Sequence, residues 1–446
     1  MIKRDTIAAV ATAPGRGGIG IIRVSGMHLV QFAADLIPRA LEPRHAALTA
    51  FLDAAGEPID EGIVLFFPAP HSYTGEDVLE LQGHGGPAVM QLLLRSCLEL
   101  GARQARTGEL TERAYLNDRM DLAQAEGVAD LIDAANGLAA RAALRSLQGK
   151  FSQLIQRLAG EIITLRMFLE ATLDFPDEDV ETLSAPRLVQ GLENLQASLD
   201  GVLAATRQGS LLRDGIQIVL VGEPNVGKSS LLNRLAGEEI AIVTDVPGTT
   251  RDALREQVDI DGLTAHVIDT AGLRDSADPV ERIGMRRTWE MVEKADLALL
   301  VRDASGGIRG ADTTIVDRLP ADLRRIELMN KSDLAGHEPV REATVGGERI
   351  WLSAKTGAGI ELLKQAIRDH AGWQPAGEGL FTARTRHVDA LMVAQRHLAA
   401  AARVTDRTEL CAEELRLAHQ ALGRITGEFS ADDLLGEIFS RFCIGK

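Results

Sequence analysis

Lys228 and Ser229 close the segment Gly222-Glu223-Pro224-Asn225-Val226-Gly227-Lys228-Ser229, in which two glycines flank four residues and a Lys-Ser pair follows. That spacing suits a loop wrapped around phosphate. Backbone N–H groups and a helix N-terminus surround the oxygens, the lysine reaches the β and γ positions, and the serine hydroxyl ligates Mg²⁺. Ordinary residue frequencies give roughly 0.03 chance matches in a chain of this length. Downstream, Asp269-Thr270-Ala271-Gly272 offers a carboxylate that would hold Mg²⁺ through water and a Gly272 N–H that would sense the γ-phosphate. In Asn330-Lys331-Ser332-Asp333 the Asp333 carboxylate can accept from N1–H and the exocyclic amine of guanine together, whereas adenine would leave it unpaired. Asn330 and the Lys331 stem would hold the ring, and Ser353-Ala354-Lys355 supplies a last base-side loop. Each match alone could be an exposed turn; in this order they imply a guanine nucleotide.

Between them runs Ile242-Val243-Thr244-Asp245-Val246-Pro247-Gly248-Thr249-Thr250-Arg251-Asp252, polar and sited where a nucleotide-sensing switch belongs. Thr250 is the expected second Mg²⁺ hydroxyl. The residue after Gly272 is Leu273, where many such enzymes carry a glutamine that orients water. An apolar side chain cannot do that, so either hydrolysis is slow unless assisted or another group such as Glu281 or Arg274 orders the water. A merely solvated switch face fits both residues equally well.

These loops need strands behind them and helices after them. Ile216 to Val221 is a β-rich apolar run suited to a buried strand, and Ser230 to Ala236 has helical spacing, so strand, loop and helix follow in the required order. Thr264 to Ile268, preceded by the turn Asp261-Gly262, would carry Asp269; Ile326 to Met329 and Arg349 to Leu352 would carry the two base-side loops. The nucleotide domain is expected over residues 213–376. On either side the pattern is helical, over 117–212 and 377–446. Leu144, Leu147, Phe151, Leu154, Leu158, Ile162, Leu165, Leu169 and Leu173 step by threes and fours as one long amphipathic helix, and Leu188, Leu192, Leu195, Leu199 and Leu203 repeat the stripe as its antiparallel partner. Helical spacing resumes through Val388, Leu391 and Leu398 and again from Leu410 to Leu422, and Ser430-Ala431-Asp432-Asp433 resembles a helix start. If the two helical segments pack together, the nucleotide domain is an insert in a bundle.

Residues 1–116 alternate short β-rich and amphipathic runs, an α+β pattern. Gly15-Arg16-Gly17-Gly18-Ile19-Gly20 matches a dinucleotide-binding box letter for letter, but Ile19 to Val24 reads as a strand where that fold needs a helix, so a Gly-rich hairpin or loop is expected. Glu80-Leu81-Gln82-Gly83-His84-Gly85-Gly86 reads as a strand-to-helix turn that either admits a ligand to the backbone or is only tight. Cys97 falls on an apolar helix face and reads as core.

The net charge of -16 excludes a broadly basic nucleic-acid coat, leaving room only for a focused basic patch. Cys97, Cys411 and Cys443 are too few for a disulfide framework and point to a reducing compartment, by default the cytoplasm. No apolar run reaches membrane-spanning length, and the Cys443-Ile444-Gly445-Lys446 tail does not fit a prenylation signal.

Taken together, the sequence resembles the MnmE (TrmE) family of tRNA-modification GTPases over essentially its whole length. The marks are Ala13-Pro14-Gly15-Arg16-Gly17-Gly18, Thr74-Gly75-Glu76-Asp77-Val78-Leu79-Glu80-Leu81, Leu116-Asn117-Asp118, Gly248-Thr249-Thr250-Arg251-Asp252 and Phe442-Cys443-Ile444-Gly445-Lys446. The resemblance implies a multidomain α/β protein: an α+β N-terminal folate-binding-like and dimerisation domain, a helical bundle, and an inserted Ras-like P-loop GTPase domain. It implies a cytoplasmic homodimer that works on tRNA with a FAD-dependent MnmG-like partner as a heterotetramer. Together they would install a carboxymethylaminomethyl-type group on C5 of the wobble uridine, with a tetrahydrofolate derivative as one-carbon donor. GTP contacts carried over are Asn225, Val226, Gly227, Lys228, Ser229 and Ser230; Thr244, Asp245, Val246, Pro247, Gly248, Thr249 and Thr250; Asp269, Thr270, Ala271 and Gly272; and the Asn330–Asp333 and Ser353–Lys355 loops. Mg²⁺ falls to Ser229 and Thr250, K⁺ to Asn225, Thr244, Val246 and Thr249, and the catalytic carboxylate to Glu281. The folate contacts fall on Arg23, Glu80, Arg119 and Lys446, with Arg119 standing where the family often has lysine. Cys443 reads as structural or substrate-adjacent more readily than as a nucleophile. Two rivals are a ribosome-assembly GTPase, which would need an attached RNA-binding module, and an oxidoreductase built on the glycine box.

Overall fold

The computed structural model describes residues 5–174, 185–237, 255–269, 289–306, 318–344, 347–374, 379–428 and 432–440, with residues 442, 443 and 445. It divides into two compact units, Met1–Ala129 with Leu147–Glu178 and Ala412–Lys446, and Asp130–Ser146 with Asp179–Cys411.

In the first unit a sheet is built from β1 (Ile7–Val10), β2 (Gly17–Gly26), β3 (Ala47–Leu52), β4 (Pro58–Phe67), β5 (Asp77–Gly85) and β6 (Arg103–Gln104), in the order β3-β4-β5-β2-β1-β6. Neighbours are antiparallel except β1 and β6. Strand periodicity sends Ile22, Val24, Val64, Phe66, Leu79 and Leu81 to one face, where Met90, Leu93 and Cys97 of the helix Pro87–Glu99 cover them. That helix begins with proline at its first turn, where the missing N–H costs nothing, and Gly101 at φ 99° follows its end. Leu93 is fully buried, so Leu93→Ala would cost about 2–5 kcal/mol.

The first Gly-rich segment closes the expected hairpin, with β1 antiparallel to β2, while the second differs from the expected turn. β2 runs from Gly17, and β5 continues through Gly83, His84 and Gly85, so the turn into the helix shrinks to Gly86. The reason is close approach: a Cβ on Gly85 would lie 2.6 Å from the Ile19 carbonyl oxygen, and one on Gly20 would lie 2.4 Å from Met90 Sδ. The glycines let strands and helix touch, and a strand where a dinucleotide fold needs a helix removes the oxidoreductase reading.

The expected single long helix is two, Gly137–Leu147 and Lys150–Asp174. Gly149 turns left-handed at φ 80°, and the Gln124 side-chain amide donates to the Leu147 carbonyl at 2.9 Å, occupying an oxygen that a continuing helix would use. Leu122 and Ala125 pack with Ile438, Phe439 and Phe442, and the Tyr115 hydroxyl donates to the Gly427 carbonyl at 2.9 Å. The end of the chain is thereby fixed within the unit formed by its beginning.

The second unit holds β7 (Ile216–Val221), β8 (Arg255–Ile260), β9 (Leu263–Asp269), β10 (Leu297–Asp303), β11 (Arg324–Asn330), β12 (Arg341–Thr344) and β13 (Gly347–Trp351), ordered β12-β13-β11-β10-β7-β9-β8. The five inner strands are parallel and the two outer ones antiparallel to their neighbours. Ile218 and Leu220 enter one core while Val219 and Val221 enter another on the opposite face, which is why β7 is apolar without alternation. The β8–β9 turn takes φ 52° at Asp261 and φ 86° at Gly262, the doubly left-handed geometry that an Asp-Gly pair favours. The helix Ala185–Asp214 ends just before β7 and packs against the helix Thr385–Ala401, with Leu188, Leu192, Leu195, Leu199 and Leu203 buried. Asp130 receives Arg213 at 2.8 Å and Arg384 at 2.9 Å, one carboxylate joining residues on both sides of the nucleotide-binding sheet in sequence. A nucleotide-binding domain inserted within helical segments is therefore the architecture. Among the described residues no helix is long and apolar enough to cross a membrane.

Candidate functional site

Parallel strands end together, so the register sets the site. Leu220 pairs with Asp269, Asp303 with Asn330, and Met329 with Trp351, which brings the carboxyl ends of β7, β9, β10, β11 and β13 to one edge of the sheet, with the described loops after β7, β11 and β13. Beyond β7 the chain turns through Asn225 at φ 62° and Gly227 at φ 96° and enters the helix Lys228–Ala236. The Lys228 ammonium donates to the carbonyls of Gly222 at 2.7 Å and Glu223 at 3.1 Å, folding the loop around its own lysine. A Cβ on Gly222 would lie 2.5 Å from the Val301 carbonyl oxygen, so the loop lies against β10. Ser229 and Ser230 are exposed at the helix start, where a hydroxyl can reach a cation beside phosphate.

Asn330 joins three loops. Almost wholly buried, it donates to the Val226 carbonyl at 2.7 Å and accepts from the Ala354 N–H at 2.9 Å. A Cβ on Gly227 would come within 2.3 Å of its amide nitrogen, so glycine there is a packing requirement as well as a left-handed one. Lys331 donates to the Asn225 carbonyl at 2.9 Å and to Asp303 at 2.6 Å. The Lys331 hydrogen bond, with help from Ser305, holds the Asp303 carboxyl at about 2. Asp333 is exposed in the first turn of a short helix, while Ser332 and Ser353 are buried and hold their loops by backbone bonds between Ser332 and Leu352 and between Ser353 and Ala358. Lys355 is exposed beside Ala354.

Arg234 escaped the sequence reading. It donates to the carbonyls of Ala354 at 3.2 Å and Lys355 at 2.7 Å, tying the phosphate-side helix to the base-side loop. Nothing in its helical spacing signals that reach. Asp303 was missed as well, although its place at the end of a buried β-rich run is a usable signal.

Thr244, Asp245, Val246, Pro247, Gly248, Thr249 and Thr250 lie outside the described residues, as do Thr270, Ala271, Gly272, Leu273, Arg274 and Glu281. Of the expected K⁺ ligands, Asn225 alone is described. For Mg²⁺ the serine of the loop is present at the helix start, and the donor set suits a cation that shares its shell with phosphate and water.

In the first unit, Arg23 and Glu80 are opposite one another on β2 and β5. The Arg23 guanidinium donates to Glu80 Oε1 through Nε at 3.0 Å and pairs through Nη2 at 2.8 Å, and Gln82 donates to Glu80 Oε2 at 3.3 Å. They lie on the face away from the helix Pro87–Glu99, half-buried, with side chains 23% and 14% exposed, so a cation and an anion stand side by side at the surface of the sheet. Arg119 is exposed, and its stem would be 3.3 Å from a Cβ on Gly75. Lys446 lies outside the described residues; its neighbour Gly445 packs on the end of β1, where a Cβ would be 2.2 Å from the Val10 carbonyl oxygen. Cys443 is exposed and lines a cavity of about 870 Å³ with Thr12, Arg16, Met90, Leu94 and Phe442. Arg23 and Glu80 are not part of its lining. Cys97 is core, its thiol pushed up to about 12 by burial. His84 is bonded to Asp60 at 2.8 Å.

Comparison with known proteins covers both units. A family profile described as "GTP-binding protein TrmE N-terminus" matches residues 6–119, and one described as "MnmE helical domain" matches residues 122–443. Relatives named tRNA modification GTPase MnmE align nearly end to end. That of Thiobacillus denitrificans is 57% identical over 99% of this chain and 98% of its own length. That of Aromatoleum aromaticum is 58% identical over the same shares, and that of Nitrosomonas europaea 55% identical over 100% of both chains. Nucleotide loops alone would mark a GTP-binding fold shared by many proteins; full-length identity above one half, extending through the N-terminal sheet and the helices, shows that the chain belongs to the MnmE family of tRNA-modification GTPases.

Proposed function

We propose that this GTPase acts on the wobble uridine of tRNA, installing an aminomethyl-type substituent at C5 together with a FAD-dependent partner, and that its N-terminal unit holds the tetrahydrofolate one-carbon donor. The observation that carries the folate half is the Arg23–Glu80 pair. A reduced folate offers an amidine-like pterin edge that donates to a carboxylate and a glutamate tail that accepts from cations. Glu80 would take the pterin edge, Arg23 would hold the Glu80 carboxylate in place for it, and Arg119 and Lys446 would add charge for the acidic portion. The chain would act as a cytoplasmic homodimer built on these N-terminal units.

In the nucleotide unit, Asp333 would accept from guanine while Asn330 and Lys331 hold the loop beneath the ring. Lys228, now bonded to loop carbonyls, would turn to the β and γ oxygens. Thr244 to Thr250 would close over the phosphates, with Ser229 and Thr250 holding Mg²⁺, which supplies positive charge as the γ-phosphate leaves. Leu273 cannot orient water, so Glu281 would do so, with K⁺ held by Asn225, Thr244, Val246 and Thr249 supplying charge that other GTPases draw from an arginine.

Two measurements test the reading. Mass spectrometry of wobble uridines should show loss of the C5 substituent in a deletion strain and its return with the wild-type gene. Calorimetry with 5-formyltetrahydrofolate should show binding that Glu80→Ala destroys while GTP binding survives. Unmodified uridines in the complemented strain would refute the tRNA assignment, and absence of binding heat in the wild type would refute the folate assignment.

A further inference from the structure

Beneath Arg23 lies a side chain with no assigned role. The Tyr73 ring centroid is 5.5 Å from the Arg23 guanidinium carbon, within range of a cation–π contact. Its hydroxyl meets the Thr111 hydroxyl at 2.8 Å, and burial pushes the phenol above its ordinary range, so it remains a protonated partner. The ring also rests on the cluster of Ile7, Ala9, Ala105 and Leu110. Tyr73 is therefore fixed at both ends, and the guanidinium is held between its ring and Glu80.

The loop that presents Tyr73 is unusually constrained for a surface connection. Glu76, nearly buried, accepts from Ser25 at 2.8 Å and from Arg113 at 2.9 Å, and Arg113 reaches on to Asp5 at 2.8 Å. Asn117 donates to the Thr74 carbonyl at 2.7 Å, and the Gly75 N–H donates to the Ser72 hydroxyl at 3.0 Å. Burying charges costs desolvation that a loop with no positional duty would avoid. Gly75 in the same loop leaves room for the Arg119 stem, which a Cβ there would meet at 3.3 Å.

We propose that Tyr73 is a positioning residue of the ligand site, its ring setting the plane of the Arg23 guanidinium and thereby the orientation in which the Glu80 carboxylate meets the pterin edge of a reduced folate. This rests on the folate reading above. A guanidinium presents its donors in one plane, so tilting it misaligns both bonds to a carboxylate at once. Lysine at position 23 keeps the charge without the plane and should depend on Tyr73 much less.

The test is calorimetric titration of the full chain with 5-formyltetrahydrofolate, using GTP hydrolysis as the check on folding. Tyr73→Leu should weaken binding about 3- to 30-fold, the range of a cation–π contact, and Tyr73→Phe should restore most of it. In an Arg23→Lys background, Tyr73→Leu should cost less than half as much on a logarithmic scale. Unchanged affinity in Tyr73→Leu, or an equal loss in both backgrounds, overturns the positioning role while leaving the folate site standing. A wild-type chain that does not bind the folate overturns both.

Discussion

Replacing Asn330 by alanine should uncouple the phosphate side of the nucleotide site from its base side. The side chain is 2% exposed and makes two bonds, to the Val226 carbonyl at 2.7 Å and from the Ala354 N–H at 2.9 Å. Alanine removes the partner of each backbone group, and a buried polar group without its partner costs about 1–3 kcal/mol. The two together come to roughly 2–6 kcal/mol, and water entering the vacated space keeps the outcome near the lower end. The bonds form without nucleotide, so the cost falls first on stability; the share that loosened loops must restore on binding, about 1.4 kcal/mol or more, lowers GDP affinity at least roughly tenfold. Asn330→Asp is the informative control, because it keeps an acceptor for Ala354 but turns a carboxylate oxygen toward the Val226 carbonyl. It should bind no better than the alanine variant. Fluorescence titration with a labelled GDP, alongside thermal unfolding, reads both consequences. A GDP affinity within threefold of wild type, with an unchanged melting temperature, would refute the idea that Asn330 ties these loops.

Asp333→Asn should shift nucleotide preference from GTP toward xanthosine triphosphate, since the amide presents a donor where guanine offers N–H; competition binding with the two nucleotides decides it. Glu109 is buried, which alone would raise its pKa, yet the Arg103 hydrogen bond, the Arg106 N–H and the nearby charges outweigh burial and hold it at about 2. A carboxyl depressed from 4.5 stabilises the fold above that pH and loses the contribution as pH falls toward 2, so urea midpoints of wild type and Glu109→Gln should converge over that window; a constant gap contradicts the assignment. Hydrolysis in KCl should exceed that in NaCl by at least roughly tenfold at equal ionic strength, a small part of what an arginine finger supplies. Glu281→Ala should abolish turnover with nucleotide affinity intact; equal rates in the two salts would turn attention to Arg251 or Arg274.

The nucleotide site was legible because its residues are local to strand ends. Gly222 to Ser229, Asn330 to Asp333 and Ser353 to Lys355 each follow an apolar run, and a parallel sheet leaves no choice about which edge those runs deliver them to. Arg234 and Tyr73 were not legible. Each acts on a group far away in sequence, Arg234 on the Ala354 and Lys355 carbonyls and Tyr73 on the Arg23 guanidinium, and no spacing rule reports such a reach. The Arg23–Glu80 pairing depends on the register of β2 against β5, which runs unbroken from Gly20 to Gly26 once past the bulge between Gly17 and Gly20.

Glycine explains the remaining differences in the fold. Read along the chain, a glycine cluster suggests a turn, because conformational freedom is its local signature. In Gly83-His84-Gly85 and at Gly20 the operative property is the missing Cβ, which lets β5 pass β2 and lets Met90 reach the sheet. Local sequence does not separate the two uses, since the atom that would clash belongs to another element. Gly149 is the opposite case: the leucine stripe crosses it without interruption, so periodicity alone extends one helix through a residue that takes φ 80°. What breaks the helix there is a competitor for its hydrogen bonds, the Gln124 amide on the Leu147 carbonyl, supplied from the start of the helix Leu122–Ile132. A stripe of leucines states which face is buried; whether the backbone beneath it is continuous depends on who holds its carbonyls.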